Sequence, residues 1–386
     1  MTRVGGEWVT KAATQSIFDF LLADGHSAYF VGGCVRNALL GEPVNDIDIA
    51  TDRTPDDVAQ RAACKGIRAV PTGIDHGTVT LVLAGCSYEV TTFRRDVRTD
   101  GRRAEVSFST RMDDDAARRD FTMNALYADR HGAVEDPLGQ GLADLEARRV
   151  RFIGDAAARI REDYLRSLRF FRFFAWYGAG GNGPDPDALS AIATHLDGLA
   201  ALSRERVGQE MRKLVAAPHP SEAMGAMSAV HVLSHVLPGA DAQAFGPLCH
   251  LEEAFGLAPD PIRRLASLGG RELAESLRLS RAETRDWDQI RTAALDAAAP
   301  HELGYRLGTG KAWSAFVLRA ALLGLHPAVN PGAAIDRGAA ARFPVVAADL
   351  MPHFTGSALG KRLAELETAW IASEFSITKD DLLRML

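Results

Sequence analysis

Residues 28–50 read AYFVGGCVRNALLGEPVNDIDIA, and the order of features in this stretch decides the fold. Ala28 to Val31 is a short apolar run that stops at Gly32-Gly33. It is followed by Cys34 to Leu40, with helical character, and a stop at Gly41. Asp46-Ile47-Asp48-Ile49 then alternates polar and apolar, the period of a half-buried strand. Residues two apart on a strand share a face, so Asp46 and Asp48 present paired carboxylates while Ile47 and Ile49 turn to the core. Two carboxylates at that pitch suit a hard cation such as Mg²⁺, which keeps waters and shares phosphate oxygens as its other ligands. The glycine pair leaves backbone N–H groups open to a phosphate at a helix start, and Arg36 adds charge one turn in. Either half alone reads equally as a solvated strand edge or a plain turn. In this order and spacing they point to metal-assisted chemistry on a phosphate.

Working outward, residues 10–24 form an amphipathic helix pattern through Ile17, Phe18, Leu21 and Leu22. Thr54-Pro55-Asp56-Asp57 is a helix start, with a capping hydroxyl, proline at the first helical position and acids in the first turn. Gly77 to Leu83 and Tyr88 to Phe93 are β-rich runs. After about residue 150 strand signals fade; 157–177 and 203–216 read as helices, and the rest is Ala/Leu-rich with Pro and Gly punctuation. The fold class is therefore α+β at the front, with a mixed sheet, and all-α behind. At roughly 150 residues per domain, 386 residues make two or three domains, divided here as 1–150, 151–216 and 217–386.

Composition excludes several classes. No apolar run approaches the ~20 residues needed to span a bilayer. The start, MTRVGGEWVTKAATQ, has no apolar core of a secretory signal. Four cysteines form no CxxC pair, which argues against a zinc ribbon or disulfide framework and for a reducing cytoplasm. A net charge of −6 means that any polyanion site is a local patch. Of 44 basic residues, all but a handful are arginine, so only an arginine in a patterned position carries information.

Two further clusters qualify. Arg118-Arg119-Asp120-Phe121-Thr122-Met123-Asn124 follows the acidic run Asp113-Asp114-Asp115. An arginine pair beside Asp and Asn can clamp phosphate and bond a ribose, or simply be a helix start with solvated charges. Asp163, Arg166, Arg169 and Arg172 lie three apart, which on one helix makes a winding stripe. Asp only accepts hydrogen bonds when ionised and Arg only donates, so such a pair can read the edge of a nucleobase. An intrahelical ion-pair ladder is the plainer alternative. The aromatic run from Phe170 to Tyr177 indicates that the other face is deeply packed.

These three clusters, in this order, resemble the class II CCA-adding enzymes and bacterial poly(A) polymerases of the DNA polymerase beta nucleotidyltransferase superfamily. Glu89 to Arg94, Glu205-Arg206 and Glu210 to Leu214 also look like family motifs, so the resemblance covers roughly residues 28–215. It implies a nucleotidyltransferase head followed by an all-α neck, body and tail. By position it implies that Asp46 and Asp48 bind catalytic Mg²⁺ and that Gly33, Arg36 and Arg119 bind the nucleotide triphosphate. Asp163 and Arg166 would template CTP or ATP, with Arg169 and Arg172 in support. Arg94 to Asp115 would be the loop linked to the switch toward A addition. Glu89 is the candidate third carboxylate, although a strand Glu can also simply pair with an Arg.

The implied function is addition of CCA to the 3′ end of tRNA, from CTP and ATP, with release of pyrophosphate. The chain ends in the neutral ITKDDLLRML rather than a basic extension, which favours this over poly(A) synthesis. A CC- or A-adding specialist, and an inactive RNA-binding protein on the same scaffold, are the other readings. The partners implied are the tRNA 3′ end and the two nucleotides, with no membrane and no protein partner.

Overall fold

The computed structural model describes residues 2–385, apart from 74–76, 101–102, 179, 182 and 352. Among these, nine strands occur: β1 (Ala28–Val31), β2 (Ile47–Thr51), β3 (Arg68–Gly73), β4 (Thr78–Leu83), β5 (Cys86–Thr92), β6 (Arg94–Asp100), β7 (Arg103–Phe108), β8 (Tyr127–Ala128) and β9 (Val134–Glu135). Seven form a mixed sheet in the order β3-β4-β5-β2-β1-β8-β9, while β6 and β7 make a separate antiparallel hairpin. Only β2 and β5 run parallel within the seven-stranded sheet.

Register sorts the side chains onto two faces. Phe30 lies opposite Ile49, Ile49 beside Val90, and Val90 opposite Val79, and all four are buried. Phe30 meets Trp8 and Phe18, at 4.8 and 4.6 Å between ring centroids, so this face is covered by the two N-terminal helices Glu7–Thr10 and Ala12–Leu21. The other face is apolar at one end, where Val31, Ala50, Phe93, Tyr127 and Ile153 cluster. At its other end, Asp48, Glu89 and Thr80 stand side by side in register. The sheet thus has one dry face and one face that ends in carboxylates.

Local signals set the helices that support it. Thr54 caps the helix Pro55–Cys64 by accepting a bond from the Asp57 N–H. Gly41, at φ 75°, ends the helix Gly33–Leu40. Two expectations need correcting. β2 begins at Ile47, so Asp46 sits just before the strand rather than on it. Residues 157–177 are two helices, Ala156–Glu162 and Leu165–Tyr177. Asp163 makes the break: at φ −154° and ψ 107° it is extended, and its Oδ1 accepts the Leu165 N–H at 3.1 Å, so its carboxylate starts the second helix.

The chain divides into two compact units, one of Met1–Glu210 with Ala229–His235 and the other of Met211–Ser228 with Val236–Leu386. The first contains the whole sheet and the helices up to Pro186–Thr194. Among its described residues, the regular elements of the second are all helices. One of its cores packs Leu248, Ile290, Val317 and Leu318 against Trp287, Trp313 and Phe316. Inside this unit Glu252 is buried between Arg263 and Arg264, whose Nε atoms lie 2.6 and 2.7 Å from its two oxygens.

Candidate active site

The site starts at the Gly32-Gly33 turn. Gly32 has φ 69° and ψ −116°, a backbone that a side chain would strain. Its N–H donates to the Leu126 carbonyl at 3.1 Å and its own carbonyl accepts from the Arg36 N–H at 2.9 Å. A Cβ on Gly32 would stand 3.3 Å from Nη1 of Arg119, so the absent side chain also lets that guanidinium approach the turn. Gly33 opens the helix Gly33–Leu40, whose first N–H groups have no partners within the helix.

Arg36 and Arg119 are both held firmly. Arg36 is buried, donates to Asn124 Oδ1, to Asn37 Oδ1 at 2.9 Å and to the Tyr177 hydroxyl at 2.8 Å, and stacks on the Tyr177 ring at 4.1 Å. Its Nε is buried without a partner, and burial lowers its pKa. Arg119 donates to Asp115 and to the Tyr127 hydroxyl. Burial pushes Asp115 up, but Arg119, Arg118 and Tyr127 together overcome it and hold the carboxyl at about 2. These arginines are therefore not solvated charges at a helix start. Residues 118–119 follow the end of the helix Met112–Ala117, and their acid partner is interior.

Across from them stand the carboxylates. Asp48 and Glu89 are register partners on the parallel strands β2 and β5, with Asp46 immediately before β2. Burial, then repulsion from Glu89 and Asp46, raises the Asp48 pKa to about 6 against the pull of Arg119 and Arg36. Glu89 is exposed and is not folded into an ion pair of the core. Among the described residues no group of three or more His, Cys, Asp or Glu is arranged to hold a metal ion by itself. The donor set nevertheless fits a divalent cation. Its oxygens are hard, their mutual repulsion is the kind a cation relieves, and the phosphates of a nucleotide would supply the remaining ligands.

The stripe expected from Asp163 to Arg172 is rearranged by the break at Asp163. Its Oδ2 accepts Nη2 of Arg206 at 2.6 Å and its Oδ1 accepts Nη1 at 3.3 Å. Arg166 pairs with Glu162 and also donates to the carbonyls of Arg159 and Arg118, at 3.2 and 3.3 Å. Asp163 and Arg166 are thus neighbours with separate partners rather than a ladder. Arg169 donates to Asp120 at 2.7 Å and Arg172 to Glu210 at 2.5 Å, and both lie over the Phe173 ring. Burial raises the Asp120 pKa, but Arg169 and Asn124 reverse this and bring it to about 2. Of the expected switching stretch 94–115, residues 101–102 lie outside the described residues.

Sequence reading missed the holders of these arginines. Asp115 was legible, being three and four residues before Arg118 and Arg119. Tyr127 and Tyr177 were not, since nothing local marks an aromatic hydroxyl as an arginine's partner.

A mixed sheet presenting adjacent carboxylates beside a glycine turn and an arginine defines a nucleotidyltransferase. Residues 28–151 match the model of the poly A polymerase head domain, and residues 184–243 match that of the probable RNA and SrmB-binding site of polymerase A. The mitochondrial CCA tRNA nucleotidyltransferase 1 of Danio rerio is 32% identical over 92% of this chain and 86% of its own. The CCA-adding enzyme of Geobacillus thermodenitrificans is 44% identical over 56% of this chain, a stretch that is 52% of that enzyme. The crystal structure of the Bacillus stearothermophilus CCA-adding enzyme in complex with CTP superposes with a TM-score of 0.74 at 29% identity, covering 97% of this chain and 95% of that one. The chain belongs to the CCA-adding enzyme (CCA tRNA nucleotidyltransferase) family, and membership implies dependence on a divalent metal. No helix among the described residues is long and apolar enough to cross a membrane.

Proposed function

We propose that this enzyme completes tRNA by adding C, C and A to its 3′ end, using CTP and ATP and releasing pyrophosphate. The observation that carries the reading is Asp48 beside Glu89 in register, with Asp46 next to them and Arg119 over the Gly32 turn. In this reading Asp46 and Asp48 hold Mg²⁺, which when bound would favour the ionised 3′-hydroxyl and neutralise charge on the α-phosphate and leaving pyrophosphate. Glu89 adds negative potential that favours the ion. Gly33 and Arg119 receive the phosphates, through the free N–H groups of the helix start and one guanidinium edge. Arg36, held by Asn124 and Tyr177, keeps the turn positive from below.

Base choice falls to Asp163 and Arg166. A carboxylate offers about four lone-pair sites, and Asp163 uses three on Arg206 and Leu165, leaving one for the exocyclic amino group of cytosine or adenine. Arg166 donates to a ring nitrogen or carbonyl of the same base edge. Arg169 and Arg172 act through Asp120 and Glu210, keeping the helix Leu165–Tyr177 at a set distance from the phosphates. The head is then residues 1–150, the base-reading neck 151–216, and the helical body and tail 217–386 the RNA-binding part, which reads shape and backbone. All four cysteines are free thiols, which supports a reducing compartment, in our reading the cytoplasm.

The test supplies tRNA lacking its 3′ end with CTP alone, ATP alone or both, and sizes the products. Three added nucleotides that require both substrates in order are expected. A long ladder with ATP alone would make the chain a poly(A) polymerase, and no extension would overturn the reading.

A further inference from the structure

We infer that Asp115 and Tyr127 are positioning residues that aim the Arg119 guanidinium and thereby set the affinity for the triphosphate of the incoming nucleotide. This rests on the nucleotide-transfer reading above. Asp115, at the buried end of the helix Met112–Ala117, has no exposed surface. Its Oδ1 accepts Nε of Arg118 at 2.8 Å. Its Oδ2 accepts Nε and Nη2 of Arg119, at 3.2 and 2.9 Å, and the Tyr127 hydroxyl at 2.7 Å. The same hydroxyl accepts from Nε of Arg119 at 3.2 Å, and the Tyr127 ring lies 5.5 Å from the guanidinium carbon.

A guanidinium is planar, so fixing Nε and Nη2 dictates where Nη1 points. Here it points over Gly32, 3.3 Å from the place a side chain would occupy. The turn and the arginine share one support. The Leu126 carbonyl ties down the Gly32 N–H, and the next residue, Tyr127, ties down Arg119. The end of β8 therefore sets the two halves of the phosphate site against each other.

Positioning and plain charge predict opposite outcomes. Asp115 carries one negative charge against the two positive charges of Arg118 and Arg119. If charge alone governed phosphate affinity, Asp115→Asn would leave the site more positive and tighten nucleotide binding. If aim governs it, the same change weakens binding.

The experiment uses the full chain and measures kcat and KM for CTP, ATP and tRNA lacking its 3′ end, for wild type, Tyr127→Phe, Asp115→Asn, Arg119→Ala and Tyr127→Phe/Arg119→Ala. Tyr127→Phe keeps the buried ring and removes only the hydroxyl, so it tests the aim of Arg119 with less cost to stability than Asp115→Asn. The expected result is a rise of about tenfold in KM for both nucleotides in Tyr127→Phe and Asp115→Asn, the scale of one charge-assisted hydrogen bond. The KM for tRNA stays unchanged, and the double variant is no worse than Arg119→Ala alone. An unchanged or lowered nucleotide KM in Tyr127→Phe, or penalties that add to that of Arg119→Ala, would overturn the inference. Wild type that binds CTP by calorimetry but extends no tRNA would instead overturn the functional reading, and CTP affinity of the same variants would still decide the role of Asp115 and Tyr127.

Discussion

Glu252 in the helical unit and Asp48 in the sheet unit are acids in opposite circumstances. Glu252 is buried with an arginine on each oxygen, and those arginines donate further to the carbonyls of Val215, Ala217 and Ala258. Every charge in that cluster is answered. Asp48 stands instead beside Glu89 and near Asp46, so its nearest acidic neighbours repel it. Such repulsion, offset in part by Arg119 and Arg36, points to a site for a ligand from outside the chain, whereas a closed network like that of Glu252 holds helices together.

The sharpest test of this contrast is the double change Asp46→Ala/Asp48→Ala. Loss of at least about a thousandfold in nucleotide transfer is expected, with a heat-unfolding midpoint equal to or above wild type, because a repulsion has been removed. Normal turnover would break the comparison at its root. Glu252→Gln is the mirror experiment. It strands two buried guanidinium groups, so urea unfolding of the full chain should show a loss of about 3–5 kcal/mol, while KM for CTP in the remaining folded protein is unchanged.

Acid titration sharpens the comparison further. Asp115 and Asp120 titrate at about 2 in the folded protein, below the ordinary carboxylate value near 4. A depressed folded pKa means that the stabilisation is complete above the unfolded pKa and is lost as pH falls through the folded one. Melting temperature should therefore drop between about pH 4 and pH 2, and Asp120→Asn should start lower and flatten that slope. The smallest effect concerns Cys34, whose thiol lies 3.7 Å from the Asp48 carbonyl and is pushed up by burial to about 11. Alkylation of native protein at pH 8 should modify the exposed Cys64 and spare Cys34, which reacts only after unfolding. Rapid labelling of Cys34 would show that the carboxylate strand is not packed as described.

The parts legible in advance were those with a local cause. Gly41 stops its helix and Thr54 caps the next because a positive φ and an orphan N–H are decided within a few residues. Alternation at Ile47 to Ile49 placed Ile49 in the core. The same reasoning failed at Asp163. Helical periodicity ran through it, but its carboxylate captures the Leu165 N–H and the distant Arg206, and together these outweigh one turn of helix.

By itself the sequence determined the class of chemistry, since two carboxylates, a glycine turn and patterned arginines specify donors and acceptors through their residue types and spacing. Only the tertiary structure decided which arginine does what. Arg36 meets Tyr177, Arg169 meets Asp120 and Arg206 meets Asp163, over separations of 141, 49 and 43 residues. Spacing along a helix limits partners to three or four residues away, so it cannot reach such pairs. A guanidinium has five donors, and whether they face a neighbour or a ligand depends on which acids, aromatic rings and carbonyls the fold brings around it.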